Sequence, residues 1–165
     1  MMSPELFDPA DRSSYLLWQT AHLAGRQLTT ALEPFDLTAA QFGALIHTGR
    51  EPGISAAELA RRVNLAPQSI QTALRPLLER EWVQRRPHPV HQRVLGNFLT
   101  PEGLMVAGQA SSAVTSADAR LVASLNDSEV SDLKDFLLRV LLSLNPTALD
   151  RSSLRQAGEA DLGNA

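Results

Sequence analysis

Apolar positions recur at helical spacing through most of the chain, separated by short polar stretches that carry proline or glycine. The first period predicts a helix from about Asp11 to Leu32, with Leu16, Trp18, Leu23, Leu28 and Leu32 on one broad buried side, and Pro34 stops it. Thr38-Ala39-Ala40-Gln41 has the form of a capping box. It opens a second helix that carries Phe42, Leu45 and Ile46, ends near Gly49 and is followed by a Pro52-Gly53 loop. Ser55-Ala56-Ala57-Glu58 repeats the capping pattern and opens a short helix with Leu59 and Val63 inward. Asn64 tolerates the left-handed backbone of a sharp helix end, and Pro67 suits the first turn of another helix. That helix turns Ile70, Leu74, Leu77 and Leu78 inward, so two short helices meet at a tight turn and predict a helix-turn-helix.

The period then changes. Trp82 to Arg86 and Val94 to Leu99 suit two short antiparallel strands around a centre, Pro87 to Arg93, whose prolines forbid a regular ladder. This predicts a hairpin with a basic tip. Thr100-Pro101 starts a helix by the cap-then-proline rule, through Leu104, Val106, Ala107 and Ala110 to about Ser124. Asn126 to Glu129 caps a last helix with Val130, Leu133, Phe136, Leu137, Val140, Leu141 and Leu144. The polar, glycine-containing stretch from Pro146 to Ala165 reads as a frayed tail. The fold class expected is mainly α with a small β-hairpin wing.

Composition narrows the classes. A chain of 165 residues with 44% apolar and 20% charged residues is long enough for one globular domain. It has no cysteine, which removes disulfides, thiolate metal sites, cysteine nucleophiles and thiol redox sensing. Glu5, Asp8 and Asp11 give the first residues the wrong charge for a signal peptide, and the apolar run Phe136 to Leu144 is interrupted by Arg139. A cytoplasmic protein without membrane association is the expectation.

Net charge is −3, but its distribution is uneven. Between Arg61 and Arg93 seven arginines stand against Glu79 and Glu81, a local +5, which leaves −8 on the rest. A basic block therefore coincides with the helix-turn-helix and the hairpin, which points to double-stranded DNA. In such a unit the N-terminal part of the second helix faces base edges in the major groove. Here that part presents Pro67, Gln68, Ser69, Gln71, Thr72 and Arg75. Gln68 and Gln71 suit adenine, Arg75 suits guanine or phosphate, and Arg85, Arg86 and Arg93 suit phosphates or a minor groove. Ser55 and Arg62 on the preceding helix, with His88 and His91 at the hairpin tip, complete the candidate DNA-contacting set. One such unit covers few base pairs, so two copies on a pseudo-palindrome are expected, with the long terminal helices as the homodimer interface.

Leu37-Thr38-Ala39-Ala40-Gln41, Ser55 to Ala60, Ser69 to Leu78, Arg85-Arg86-Pro87, His91-Gln92-Arg93 and Leu99-Thr100-Pro101-Glu102-Gly103 occur in the order of one known family. From about Ser13 to Leu144 the chain resembles the MarR family of winged-helix transcriptional regulators. The most specific part is the wing, an Asp-x-Arg followed after six residues by Thr and then Gly three further on; Arg93, Thr100 and Gly103 match it. The resemblance implies an obligate homodimer through residues 11–34 and 101–145, and a DNA-binding winged helix-turn-helix over 36–100. It also implies repression released by small, often aromatic, anions. Three positions depart from the family pattern. His91 replaces the wing aspartate, Glu81 replaces the glycine that closes the recognition helix, and Pro76 stands inside that helix, where a kink near Thr72 to Arg75 or a later start is expected.

By the same resemblance His22, with Tyr15, Trp18 and Arg26 at helical spacings, lies where the family binds its effector, and His47 borders the same region. Aromatics beside Arg26 suit an aromatic carboxylate; the alternative is that Tyr15 and Trp18 are core or dimer aromatics and His22 their polar neighbour. His88 and His91 have no third ligand nearby in sequence, so no metal is expected, and no cofactor. Phosphate loops, nucleophile elbows and paired carboxylates are missing from the sequence, so catalysis is not expected. The alternative to a DNA-binding regulator is a winged-helix protein-interaction module that has lost specific DNA binding.

Overall fold

A computed structural model describes residues 8–87, 95–146 and 148. The order is α1 (Ser13–Leu32), α2 (Ala39–Arg50), α3 (Ala56–Arg62), α4 (Pro67–Glu79), β1 (Val83–Pro87), β2 (Leu95–Leu99), α5 (Pro101–Leu121) and α6 (Asp127–Leu144), with single 3-10 turns at Pro9–Asp11 and Glu33–Phe35. The chain is mainly helical with one antiparallel hairpin, in which Val83 faces Leu99 and Pro87 faces Leu95. Pro87 occupies the last pair, where a missing amide costs the ladder least.

The helix starts follow their caps. Thr38 accepts from the Gln41 amide while Gln41 returns to the Thr38 amide, and Asn126 and Glu129 do the same at α6. Thr100 accepts from the Gly103 amide ahead of α5. At α3 only half of the expected box forms: Ser55 accepts from the Glu58 amide, but the Glu58 carboxylate turns to Arg61 and Arg62, because a guanidinium is a stronger partner than a neutral amide. Two helices end on left-handed residues that are not glycine, Asn64 (φ 52°) after α3 and Glu81 (φ 57°) after α4. Each closes a Schellman pair, Leu65 amide to Ala60 carbonyl with Asn64 to Arg61, and Trp82 to Leu77 with Glu81 to Leu78.

The core joins α2, α3 and α4 to α5 through Leu45, Leu59, Ile70, Leu74, Leu77, Val83, Val106 and Ala110, with Leu32 from the end of α1. The rest of α1 departs from expectation. Leu28 is half-buried and Leu32 buried, but Leu16, Trp18 and Leu23 are exposed at 49%, 62% and 54%. In α6 no described residue is buried, and Phe136, Leu137, Val140, Leu141 and Leu144 all face outward. Apolar periodicity predicts buried sides here, but the single chain does not cover them. Among the described residues, no helix is long and apolar enough to cross a membrane.

Candidate nucleic-acid interface

The inward row Ile70, Ala73, Leu74 and Leu77 fixes the rotation of α4 against the core. The opposite row, Gln68, Ser69, Gln71, Thr72 and Arg75, is thereby exposed along one side, with Pro67 at the first turn. Pro76 neither delays nor interrupts this helix, which runs unbroken from Pro67 to Glu79. The deleted bond at Thr72 costs ~3 kcal/mol in an isolated helix. Here buried residues on both sides of Pro76 hold the two segments to one core, and tertiary packing overrides local preference.

The hairpin stands beside α4 and is pinned at its base. Gly53 donates to the Asn97 carbonyl (2.8 Å), and the Asn97 amide donates to Ile54 (3.0 Å), so the loop before α3 adds a strand-like edge to β2. A side chain at Gly96 would lie 2.5 Å from the Gly53 carbonyl, so the close approach requires glycine there. Asn97 is buried and its side-chain amide also donates to Ile54, at 2.8 Å.

The arginines are not equivalent. Arg75 is exposed at 74% and lies 3.9 Å from Glu79. Arg85 donates to Gln71 on α4 at 2.7 Å, and Arg86 covers the Phe98 ring at 4.4 Å. Arg62 is only 8% exposed, bonding Glu51 at 2.9 Å and Glu58 at 3.1 Å, so its charge is spent inside the α2–α3 junction. Arg80 ties the end of α4 to the turn before α2, donating to the Phe35 and Asp36 carbonyls and to the Asp36 carboxylate. Burial pushes the Glu58 carboxyl up, but hydrogen bonds from Arg61 and Arg62 outweigh it and hold Glu58 below its ordinary value. His88, His91 and Arg93 lie outside the described residues.

The five candidate ligand residues separate into two places. Tyr15 and Trp18 meet at 5.7 Å between rings, Trp18 stacks on His22 at 6.4 Å, and Arg26 is exposed one turn further along α1. An open cleft of about 320 Å³ adjoins this row, lined by Arg12, Ser14, Tyr15 and Trp18. His47 instead sits half-buried on α2, where burial first, then the charges of Arg62 and Arg50, hold its imidazole below the ordinary value. Among the described residues, no group of three or more acidic or histidine side chains gathers in a way that would hold a metal ion. The Arg85–Gln71 pairing was missed from sequence, because the partners are fourteen residues apart and come together only when the hairpin folds beside α4.

A MarR-family sequence model matches residues 35–94, the segment that holds the helix-turn-helix and the first strand of the hairpin. The HTH-type transcriptional repressor Rv2887 of Mycobacterium tuberculosis is 34% identical over 123 residues, which cover 74% of this chain and 88% of the repressor. The chain belongs to the MarR family. Crystal structures of the M. tuberculosis MarR family protein Rv2887 agree with this architecture. Its complex with DNA matches with a TM-score of 0.66 at 31% identity, over 78% of this chain and 97% of the other. Its complex with salicylic acid matches with a TM-score of 0.66 at 33% identity, over 79% and 98%. In this MarR-family chain α4 is the second helix of the helix-turn-helix, and the β1–β2 hairpin is the wing.

Proposed function

We propose that the chain is a cytoplasmic transcriptional regulator, a repressor rather than an enzyme, that binds a pseudo-palindromic operator as a homodimer. The observation that carries this reading is the exposed row Gln68, Ser69, Gln71, Thr72 and Arg75, backed by a buried row on the same helix and flanked by a wing bearing Arg85 and Arg86. The similarity to a repressor whose complex with DNA is known supports it. Residues 36–100 form the DNA-binding part, with Ser55 and Pro67 at helix starts and His88, His91 and Arg93 supplied by the sequence between the two strands. Arg62 is assigned to holding α2 and α3 together. Residues 11–34 and 101–145 form the dimer, through the apolar faces that α1 and α6 leave exposed. An unbroken α4 and a closed cap at Glu81 remove two reasons for preferring a protein-interaction module.

A small aromatic anion is the proposed effector, taken between Tyr15, Trp18, His22 and Arg26 of one site, with His47 as a second, half-buried element of the response. The Rv2887 complex with salicylic acid supports this ligand class. Salicylate that neither raises the unfolding temperature nor releases DNA counts against it. The function itself is tested by an anisotropy titration on DNA flanking the chain's own gene at several salt concentrations. Each phosphate neutralised contributes about 0.9 to the log–log slope, so a two-fold assembly gripping several phosphates gives a steep line. A shallow line with no preference for that DNA over random sequence overturns the reading.

A further inference from the structure

We propose that Arg85 is a positioning residue for sequence recognition: reaching from the wing, it fixes the side-chain amide of Gln71 in one orientation on the recognition helix. The proposal rests on the DNA-binding reading and goes beyond it by assigning a wing arginine to base specificity in place of phosphate contact.

The polarity of the contacts carries the inference. A guanidinium has donors only, so the Gln71 oxygen, 2.7 Å from Arg85 Nη2, must face Arg85 and the Gln71 nitrogen must turn away. The hydrogen bond is charge-assisted, the class that is roughly twice as strong as a neutral one. Arg85 is itself anchored, because Nε donates to Asn97 Oδ1 across the β1–β2 ladder at 3.5 Å. Asn97 has no freedom to flip: its nitrogen donates to the Ile54 carbonyl, which can only accept, leaving Oδ1 for Arg85. A buried asparagine thus sets an exposed arginine, which sets an exposed glutamine.

A free glutamine loses rotamer freedom when it is ordered. Gln71 is ordered before DNA arrives, and only one of its two amide orientations is offered. The nitrogen is left as a donor for a purine N7, and the second lone pair of the oxygen can accept from adenine N6, the paired contact that distinguishes adenine in the major groove. Without Arg85 the amide samples both orientations, and the flipped one presents the wrong pattern.

The test selects binding sites from random-sequence DNA with wild type, Gln71→Ala, Arg85→Ala, the double variant and Arg85→Lys, and measures salt dependence on the selected site. Expected is the loss of one base preference per half-site, roughly five-fold or more, in Gln71→Ala and equally in Arg85→Ala, with no further loss in the double variant. The salt slope stays that of wild type. Arg85→Lys keeps the charge but cannot hold Asn97 and Gln71 together, so it also weakens that preference; it carries the comparison if Arg85→Ala fails to fold. The proposal is overturned if Arg85→Ala lowers the slope by about one per protomer while every base preference persists, the signature of a phosphate contact. It is overturned equally if Arg85→Lys behaves as wild type in both measurements. A wild type that selects no site and shows no steep slope overturns the DNA-binding reading, and the proposal with it.

Discussion

The Glu81 carbonyl accepts a 2.7 Å hydrogen bond from the Thr100 hydroxyl, and the same hydroxyl oxygen accepts from the Gly103 amide at 3.0 Å. One side chain thereby joins the end of the recognition helix to the start of α5. Glu81 reaches this position with φ 57°, a conformation that disfavours a residue with a Cβ by roughly 1–2 kcal/mol. Glycine removes that strain but frees the unfolded backbone by about 0.5–1 kcal/mol. Glu81→Gly is therefore expected to stabilise the fold by roughly 0.5 kcal/mol, raising the unfolding temperature by about 1–2 °C. Thermal unfolding that is unchanged or lowered contradicts a strained cap.

Gly103 lies under the same junction. A Cβ there would be 1.9 Å from the Trp82 carbonyl oxygen, a backbone atom that cannot move without breaking the Thr100 amide bond to it. Gly103→Ala is expected to destabilise by about 3 kcal/mol, at the upper end for overpacked sites. Denaturant unfolding measures it, and a midpoint within error of wild type sinks the idea.

Much of this architecture is legible in the sequence because its signals are local. Thr38, Thr100 and Asn126 start helices by bonding amides within three residues, and each does so here. The misreadings have a common physical origin in contacts that sequence spacing does not record. Pro76 looks like a break until the core on both sides of it is known. Leu16, Trp18 and Leu23 have the period of a buried face, but period does not say whether the cover is the same chain or another. Arg62 and Arg75 are indistinguishable as letters in a basic block, yet one is 8% exposed and the other 74%.

His47 gives the fold a pH dependence whose sign follows from its surroundings. Burial, with Arg62 and Arg50 nearby, lowers its folded-state value below the ordinary ~6.5, so folding favours the neutral ring. Its contribution is complete above the ordinary value and is lost as pH falls from there toward the lowered one, because the unfolded chain takes up the proton first. The unfolding temperature of wild type is expected to drop between pH 7.5 and pH 5.5, and that drop is expected to shrink in His47→Gln. Equal drops in both proteins would assign the effect elsewhere.

Phe136, Leu137, Val140, Leu141 and Leu144 recur along one side of α6 and are all exposed in the single chain. If this side is the dimer seam, Val140→Glu places a carboxylate from each copy in an apolar contact, at a cost of several kcal/mol per dimer. Sedimentation is expected to show wild type as a dimer and Val140→Glu as a folded monomer with operator affinity sharply reduced. A dimer that survives the substitution places the seam on another face.

The last prediction separates the arginines by what surrounds them. Arg75 projects from the exposed row of α4, with Glu79 held only at 3.9 Å, and the fold gains little from it because exposed pairs contribute about 0–1 kcal/mol. Arg62 is enclosed, and removing it strands Glu51 and leaves Glu58 with Arg61 alone; the two carboxylates are 39% and 25% exposed. Breaking a fully buried pair costs about 3–5 kcal/mol; partial access to water on the acidic side lowers the expectation to roughly 1–2 kcal/mol. Arg75→Ala should thus leave the unfolding temperature in place and weaken operator binding by about 1–3 kcal/mol if it reads a base. Arg62→Ala should lower the unfolding temperature by several degrees and leave the salt slope of DNA binding intact. The reverse pattern, with Arg62→Ala flattening the slope and Arg75→Ala melting early, would mean that burial in the free protein is no guide to which arginines meet DNA.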